Sequence, residues 1–217
     1  MIGQTSRMQI SYDLGSVTGI EYGPPGPLGV LLAHGAGAGQ EHPWIVSVAG
    51  GLASEGLYVM TFNYRYTEAG RKSPDRLPTL LAVHRAAANA LAERSEEVIL
   101  AGKSMGGRVG SHLAGDEGWP AAGLVYYGYP LMSKGEPRPT DHLERIDAPQ
   151  LFFAGTRDRL GPPQAIEKVA SRLPNAEIIV VDDGDHSFKV PKRAGKANEE
   201  ILAEIVAESA AWIRENA

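Results

Sequence analysis

The chain has 217 residues, a formal charge of −5 and no cysteine. A chain of this length buries roughly 70% of its unfolded surface, enough for one domain with a substantial core, and its acidic balance disfavours a general nucleic-acid binder. The absent cysteines exclude disulfides, thiolate metal sites and cysteine nucleophiles and fit a reducing cytoplasm; residues 1–11 lack the apolar run of a leader, and no segment approaches the ~20 apolar residues of a membrane span, so no membrane partner is expected.

In chain order, residues 8–14 and 17–22 read as a short hairpin with a Gly-Ser turn, and 23–27 as a stiff Gly-Pro turn. Gly29-Val30-Leu31-Leu32-Ala33 is a continuous apolar run, the pattern of a strand covered on both faces. It ends in His34-Gly35-Ala36-Gly37-Ala38-Gly39. A helix is expected over 43–54, a strand over 57–62, and a polar, basic loop over 63–76. Residues 77–94 form an alanine-rich helix with Leu80, Leu81, Ala87, Ala88 and Leu91 on its core face. Then come strand 97–101, helix 108–114, strand 122–128, an irregular stretch 129–148, strand 150–154, helix 162–172 and strand 177–181. The last helix, 197–215, sets Ile201, Leu202, Ile205, Val206, Trp212 and Ile213 at helical spacing.

Strands alternating with helices imply a mostly parallel sheet with helices on both faces, and the leading hairpin adds antiparallel strands at one edge. In such sheets ligands sit beyond the carboxyl ends of the strands. The candidate chemical segments follow strands 29–33, 97–101, 150–154 and 177–181, so all converge on that edge. The 129–148 connection has room for a loop and one helical turn, which implies an open, shallow site without a sizeable cap domain. Tyr126, Tyr127 and Tyr129 lie at the neighbouring strand end and are candidates to line it, with at least one expected in the packed sheet.

The most specific motif is Gly102-Lys103-Ser104-Met105-Gly106, between a strand and a helix. A serine flanked by glycines two positions away on each side, at such a junction, is a nucleophile elbow: the turn lifts the hydroxyl out of the sheet, and only glycine lets strand and helix approach so closely. A phosphate-binding loop also ends in Gly-Lys-Ser, but it needs a glycine where this chain has Glu97. His34 to Gly39 lacks the dinucleotide spacing and the downstream acid, and no metal-binding motif is evident, so no cofactor and no metal are expected.

With His34–Gly39, Gly102–Gly107, Gly155-Thr156-Arg157-Asp158 and Gly184-Asp185-His186-Ser187-Phe188 assembled, the chain resembles the α/β-hydrolase superfamily over nearly its whole length. Within it, the chain is similar to the small group related to dienelactone hydrolase that includes testis-expressed protein 30. Dienelactone hydrolases use a cysteine nucleophile where this chain has Ser104, so that particular activity is not implied. The order serine, aspartate, histidine is that of the superfamily.

Ser104 needs a base to attack an acyl carbonyl, and His186, after the last strand, is the candidate. His34 is expected to brace its loop by hydrogen bonding, and His84, His112 and His142 to be surface or core residues. Asp158, where the superfamily puts its acid, would orient His186; Asp182, Asp183 and Asp185 compete for that role, with turn formation as their other reading. The oxyanion donors would be the backbone N–H of Met105 and that of Ala36, with Gly37 the nearest rival. Gly35, Gly37, Lys103 and Tyr127 are the candidate substrate contacts. The expected reaction is ester cleavage through an acyl-serine; thioester or peptide cleavage, or a non-catalytic binding module on the same fold, are the alternatives. Arg65, Arg71, Lys72, Arg76, Lys103, Arg157 and Arg159 make the surrounding loops basic. They either attract anionic small-molecule esters or are solvated charges paired with Glu68, Asp75 or Glu136.

Overall fold

A computed structural model describes residues 5–133 and 135–217. Residues 1–4 and Lys134, the latter inside the stretch expected to be irregular, lie outside the described residues. Eight strands form one sheet: β1 (Thr5–Tyr12), β2 (Gly15–Tyr22), β3 (Leu28–Ala33), β4 (Tyr58–Phe62), β5 (Glu97–Lys103), β6 (Gly123–Tyr127), β9 (Gln150–Gly155) and β10 (Ala176–Val181). A separate ribbon pairs β7 (Met132–Ser133) with β8 (Glu136–Pro137). The order across the large sheet is β1-β2-β4-β3-β5-β6-β9-β10. In that sheet β1–β2 and β2–β4 are antiparallel and the remaining pairs parallel.

The apolar strands alternate between two cores. Leu31 and Ala33 of β3 face one, Val30 and Leu32 the other, and all four are fully buried. The first core is closed by α3 (Leu77–Ala92), α4 (Met105–Gly115) and α5 (Pro163–Ala170), through Leu80, Leu81, Val109, Leu113 and Ile166. The second is closed by α1 (Pro43–Ser54) and α6 (Asn198–Asn216), through Ile45, Val48, Leu52, Ile201, Ile205 and Trp212. Each such side chain contributes about 1.5–3 kcal/mol by leaving water. Local chemistry sets the helix starts. The His42 side chain accepts the Trp44 N–H at 3.2 Å to open α1, and Glu200 accepts the Ala197 N–H at 2.9 Å to open α6.

Two expectations shift. The hairpin turn is Asp13–Leu14, not Gly-Ser, because Tyr12 pairs with Gly15 and glycine takes φ 133 at the strand entry. The segment 63–76 is not all loop: it contains α2 (Arg65–Glu68) and buries Tyr64 and Tyr66, whose rings pack around His34 and, for Tyr64, Phe62 and His84. The connection from β6 to β9 carries the small ribbon and a 3-10 turn over Asp141–Arg145, with no helical cap among the described residues. Among those residues no helix is long and apolar enough to cross a membrane.

Candidate active site

β5 ends at Lys103 and α4 begins at Met105, leaving Ser104 alone at the junction. Its φ of 51° and ψ of −112° lie where side-chain-bearing residues are rarely found, a strain of about 1–3 kcal/mol that the surroundings must hold. Two glycines let them do so. A Cβ on Gly102 would sit 2.2 Å from the Gly107 nitrogen, and one on Gly106 would sit 2.5 Å from the Ala33 carbonyl oxygen. Ser104 N donates to the Tyr127 carbonyl at 3.0 Å, which ties the turn to β6. The serine remains partly open to solvent.

His186, in the loop after β10, brings Nε2 to 2.9 Å from Ser104 Oγ. Its Nδ1 lies 2.7 Å from Asp158 Oδ2, in the loop after β9. A carboxylate only accepts, so Nδ1 carries the proton and Nε2 presents its lone pair to the serine hydroxyl. The Asp158 side chain is fully buried, while that of His186 is 28% exposed. Burial alone would raise the Asp158 carboxyl. The His186 hydrogen bond and charge, with the Leu160 and Gly161 N–H groups at 2.8 and 3.3 Å on Oδ1, outweigh burial and hold it below the ordinary carboxylate value. The competing aspartates do other work. Asp185 Oδ1 accepts the N–H groups of Ser187 and Lys189, at 2.8 and 3.0 Å, and Asp183 pairs with Arg193 at 3.3 Å. Asp182 is exposed.

The loop after β3 borders the serine. His34 is fully buried; its Nδ1 donates to the Gly35 carbonyl at 2.9 Å and its Nε2 accepts the Tyr64 N–H at 3.3 Å. That pattern requires a neutral ring, and burial accordingly pushes its pKa down to about 4. His34 thus braces its loop as expected. Ala36 and Gly37 form an exposed turn closed by Ala38 N to Gly35 O at 3.3 Å. Met105 is the first residue of α4, where an N–H has no intrahelical acceptor.

Several expected substrate contacts are elsewhere. Gly35 is buried, with its backbone packed behind the Ser104 Cβ. Tyr127 is fully buried between Trp44 and Phe153, its hydroxyl donating to Ser209 Oγ at 3.0 Å; its place on the inner face of β6 points it into the core, not the site. Tyr126 and Tyr129 are likewise core residues, bonded to Gln150 and to the Ser111–His142 pair. Lys103 is 9% exposed and turned inward, so its ammonium does not reach the mouth. Of the surrounding basic residues, Arg71 pairs with Asp75 at 2.6 Å and Arg157 donates to the Asp183 carbonyl at 3.0 Å, while Arg65, Lys72, Arg76 and Arg159 are exposed.

Gly128 and Trp44, near the histidine, were not singled out from sequence, and Phe188 was named only as the end of the Gly184–Phe188 segment. Gly128, at φ 70°, lies under the imidazole, where an added Cβ would come within 3.3 Å of Nδ1. Phe188, at φ 62°, and Trp44 pack over Tyr127 and Lys103. A glycine directly after a buried strand was the available signal for the first. Trp44 carries no local signature.

Comparison with known proteins agrees with this architecture. Residues 27–214 match the model of the family described as Alpha/beta hydrolase domain. Dienelactone hydrolase from Anabaena variabilis superposes with a TM-score of 0.77 at 18% identity, over 100% of this chain and 99% of that one. A lid-less α/β serine hydrolase from Xanthomonas campestris superposes with a TM-score of 0.73 at 18% identity, over 96% and 95%. In sequence, a 70-residue stretch is 34% identical to the pimeloyl-[acyl-carrier protein] methyl ester esterase of Xanthomonas campestris pv. campestris, covering 32% of this chain and 27% of that relative. With a single family model spanning most of its length and the sheet order and serine turn described above, the chain belongs to the α/β-hydrolase domain family.

Proposed function

We propose that the protein is a serine hydrolase that cleaves small carboxylic esters through an acyl-enzyme. The observation that carries this reading is the continuous chain of contacts from Ser104 Oγ through His186 to Asp158, at 2.9 and 2.7 Å, on a strained turn partly open to solvent. Ser104 Oγ attacks the ester carbonyl as its proton passes to His186 Nε2. Asp158 keeps Nδ1 protonated and stabilises the imidazolium. The oxyanion that forms is met by the N–H groups of Met105 and Ala36, and His186 then returns the proton to the departing alcohol. Water, activated by the same ring, repeats the sequence to release the acid. Groups of this kind supply several kcal/mol because they are fixed before charge develops.

An ester is favoured over other acyl compounds by the methyl ester esterase with which the chain shares a 70-residue stretch. Among the described residues the β6–β9 connection carries no helical cap, which suits small or protruding substrates. The test is a series of p-nitrophenyl esters of increasing acyl length, run with wild type and Ser104→Ala. Turnover that depends on Ser104, with an optimum at short chains, supports the reading. Equal rates in both proteins would remove Ser104 as nucleophile.

A further inference from the structure

Lys103 is an unusual neighbour for a nucleophile: a cation in the last position of a buried strand. Strand alternation puts its side chain on the face of Ile99 and Ala101, toward α1 and α6. There its Nζ lies 5.9 Å from the centre of the Trp44 ring and 5.6 Å from that of Phe188. It donates to the main-chain carbonyl of His186 at 2.5 Å. The hydrogen bonds of Asp185 fix the internal shape of the histidine loop but do not join that loop to β5. The Lys103 bond does, and it starts from the residue adjacent to Ser104.

We propose that Lys103 is a positioning residue that clamps the His186 loop to the strand bearing Ser104, so that Oγ and Nε2 keep their register. This deepens the proposed hydrolase reading and rests on it. The ammonium is committed to this clamp and is not an anion-binding contact for substrate. The two aromatic faces supply a cation-attracting slot with little water, which makes a charge-assisted bond to the carbonyl stronger than at the surface. The charged groups facing it are Asp158 and Asp185, from the loops after β9 and β10, and the titratable ring of His186 belongs to the residue whose carbonyl it bonds. Trp44 of α1, Phe188, and Tyr127, its partner in β6, carry no charge in the neutral range. Burial pushes the lysine down to about 8 against the pull of the two aspartates. Above that pH the clamp loses its charge, and the catalytic rate should fall with it.

The test compares wild type, Lys103→Met and Lys103→Arg. Methionine keeps the stem between the rings and removes donor and charge, whereas arginine keeps both. The readouts are the pH dependence of Ser104 labelling by an uncharged fluorophosphonate, kcat and KM on a neutral ester, and the low-field proton resonance of His186 Nδ1–H. Wild type should show an alkaline limb near pH 8. Lys103→Met should label about 10- to 100-fold more slowly, since a misplacement of about 1 Å costs up to 10²-fold. Its KM should hold, its alkaline limb should vanish and its Nδ1 resonance should move or broaden. Lys103→Arg should recover most of the rate, with the limb displaced to higher pH. Wild-type labelling rates in Lys103→Met, a loss confined to KM, or a lower rate with an unchanged limb would each overturn the clamp. If wild type is not labelled, the hydrolase reading fails on its own, and an unmoved Nδ1 resonance in Lys103→Met would then reject the clamp separately.

Discussion

Asp158→Asn isolates the part of the site that sets the protonation of His186. The buried carboxylate uses Oδ1 for the Leu160 and Gly161 N–H groups and Oδ2 for His186 Nδ1 at 2.7 Å. Asparagine is nearly the same shape, and its carbonyl must face the two backbone N–H groups. Its NH2 therefore faces Nδ1 and donates, which forces the ring proton onto Nε2. Nε2 then cannot take the serine proton. In a Ser-His-Asp site the wrong tautomer lowers kcat by roughly 10⁴-fold, or about 5.4 kcal/mol at 1.36 kcal/mol per decade. Asp183→Asn and Asp185→Asn are the controls. Asp183 makes a surface pair and Asp185 caps a turn that asparagine can also cap, so each should stay within about threefold of wild type, as surface changes of ~0.5 kcal/mol do. The assay is kcat on a p-nitrophenyl ester beside the far-UV circular dichroism of each variant. A folded Asp158→Asn protein with more than a tenth of wild-type kcat would show that Asp158 does not set the His186 tautomer, and a larger loss at Asp183 or Asp185 would move the acid into the histidine loop.

Other changes probe the packing of the serine turn, a buried histidine and the basic loops. Gly102→Ala drives a Cβ to 2.2 Å from backbone at Gly107; it should cost about 3 kcal/mol, or about 6–12 °C of Tm by calorimetry, and abolish hydrolysis. An unchanged Tm would mean that the turn is not closely packed. His84 is fully buried, its Nδ1 2.9 Å from the Tyr64 hydroxyl, and burial pushes it down to about 3. Below the unfolded value of 6.5 the unfolded chain therefore binds a proton that the folded one refuses, so stability falls as pH falls. From pH 6.5 to 5 wild type should lose about 1.6 kcal/mol more than His84→Leu in urea titrations; parallel losses would show that His84 is not held neutral. The exposed Arg65, Lys72, Arg76 and Arg159 should give an ester with a free carboxylate a higher kcat/KM than its neutral analogue at low salt, an advantage that shrinks as salt is added. Equal rates at low salt would reject steering.

The parts of the molecule legible in the sequence are those governed by local rules. Val30 to Ala33 and Val98 to Ala101 are continuous apolar runs because both faces of those strands are covered. Gly102 and Gly106 are spaced as the serine turn requires. What was not legible depends on which way a side chain turns after folding. Tyr127 and Lys103 sit beside the serine in sequence or in register, yet strand alternation sends both inward beneath Trp44. Neither their polar tips nor their neighbours announce this, because Ser209 and the His186 carbonyl, which satisfy them, lie more than 80 positions away. The one-turn helix at Arg65–Glu68 is too short to leave a periodic pattern, and the buried Tyr66 within it and Tyr64 just before it are explained by His34 and, for Tyr64, His84, which lie in other elements.

If the proposed reaction is right, Ser104 becomes covalently acylated during turnover. Rapid acid quenching of the protein with p-nitrophenyl acetate, followed by intact-mass and peptide mass spectrometry, measures this directly. Wild type should yield a population of chains heavier by one acetyl group, mapped to the peptide containing Ser104, and Ser104→Ala should yield none. Acetate released at the wild-type rate with no adduct on Ser104, or an adduct that persists in Ser104→Ala, would contradict it.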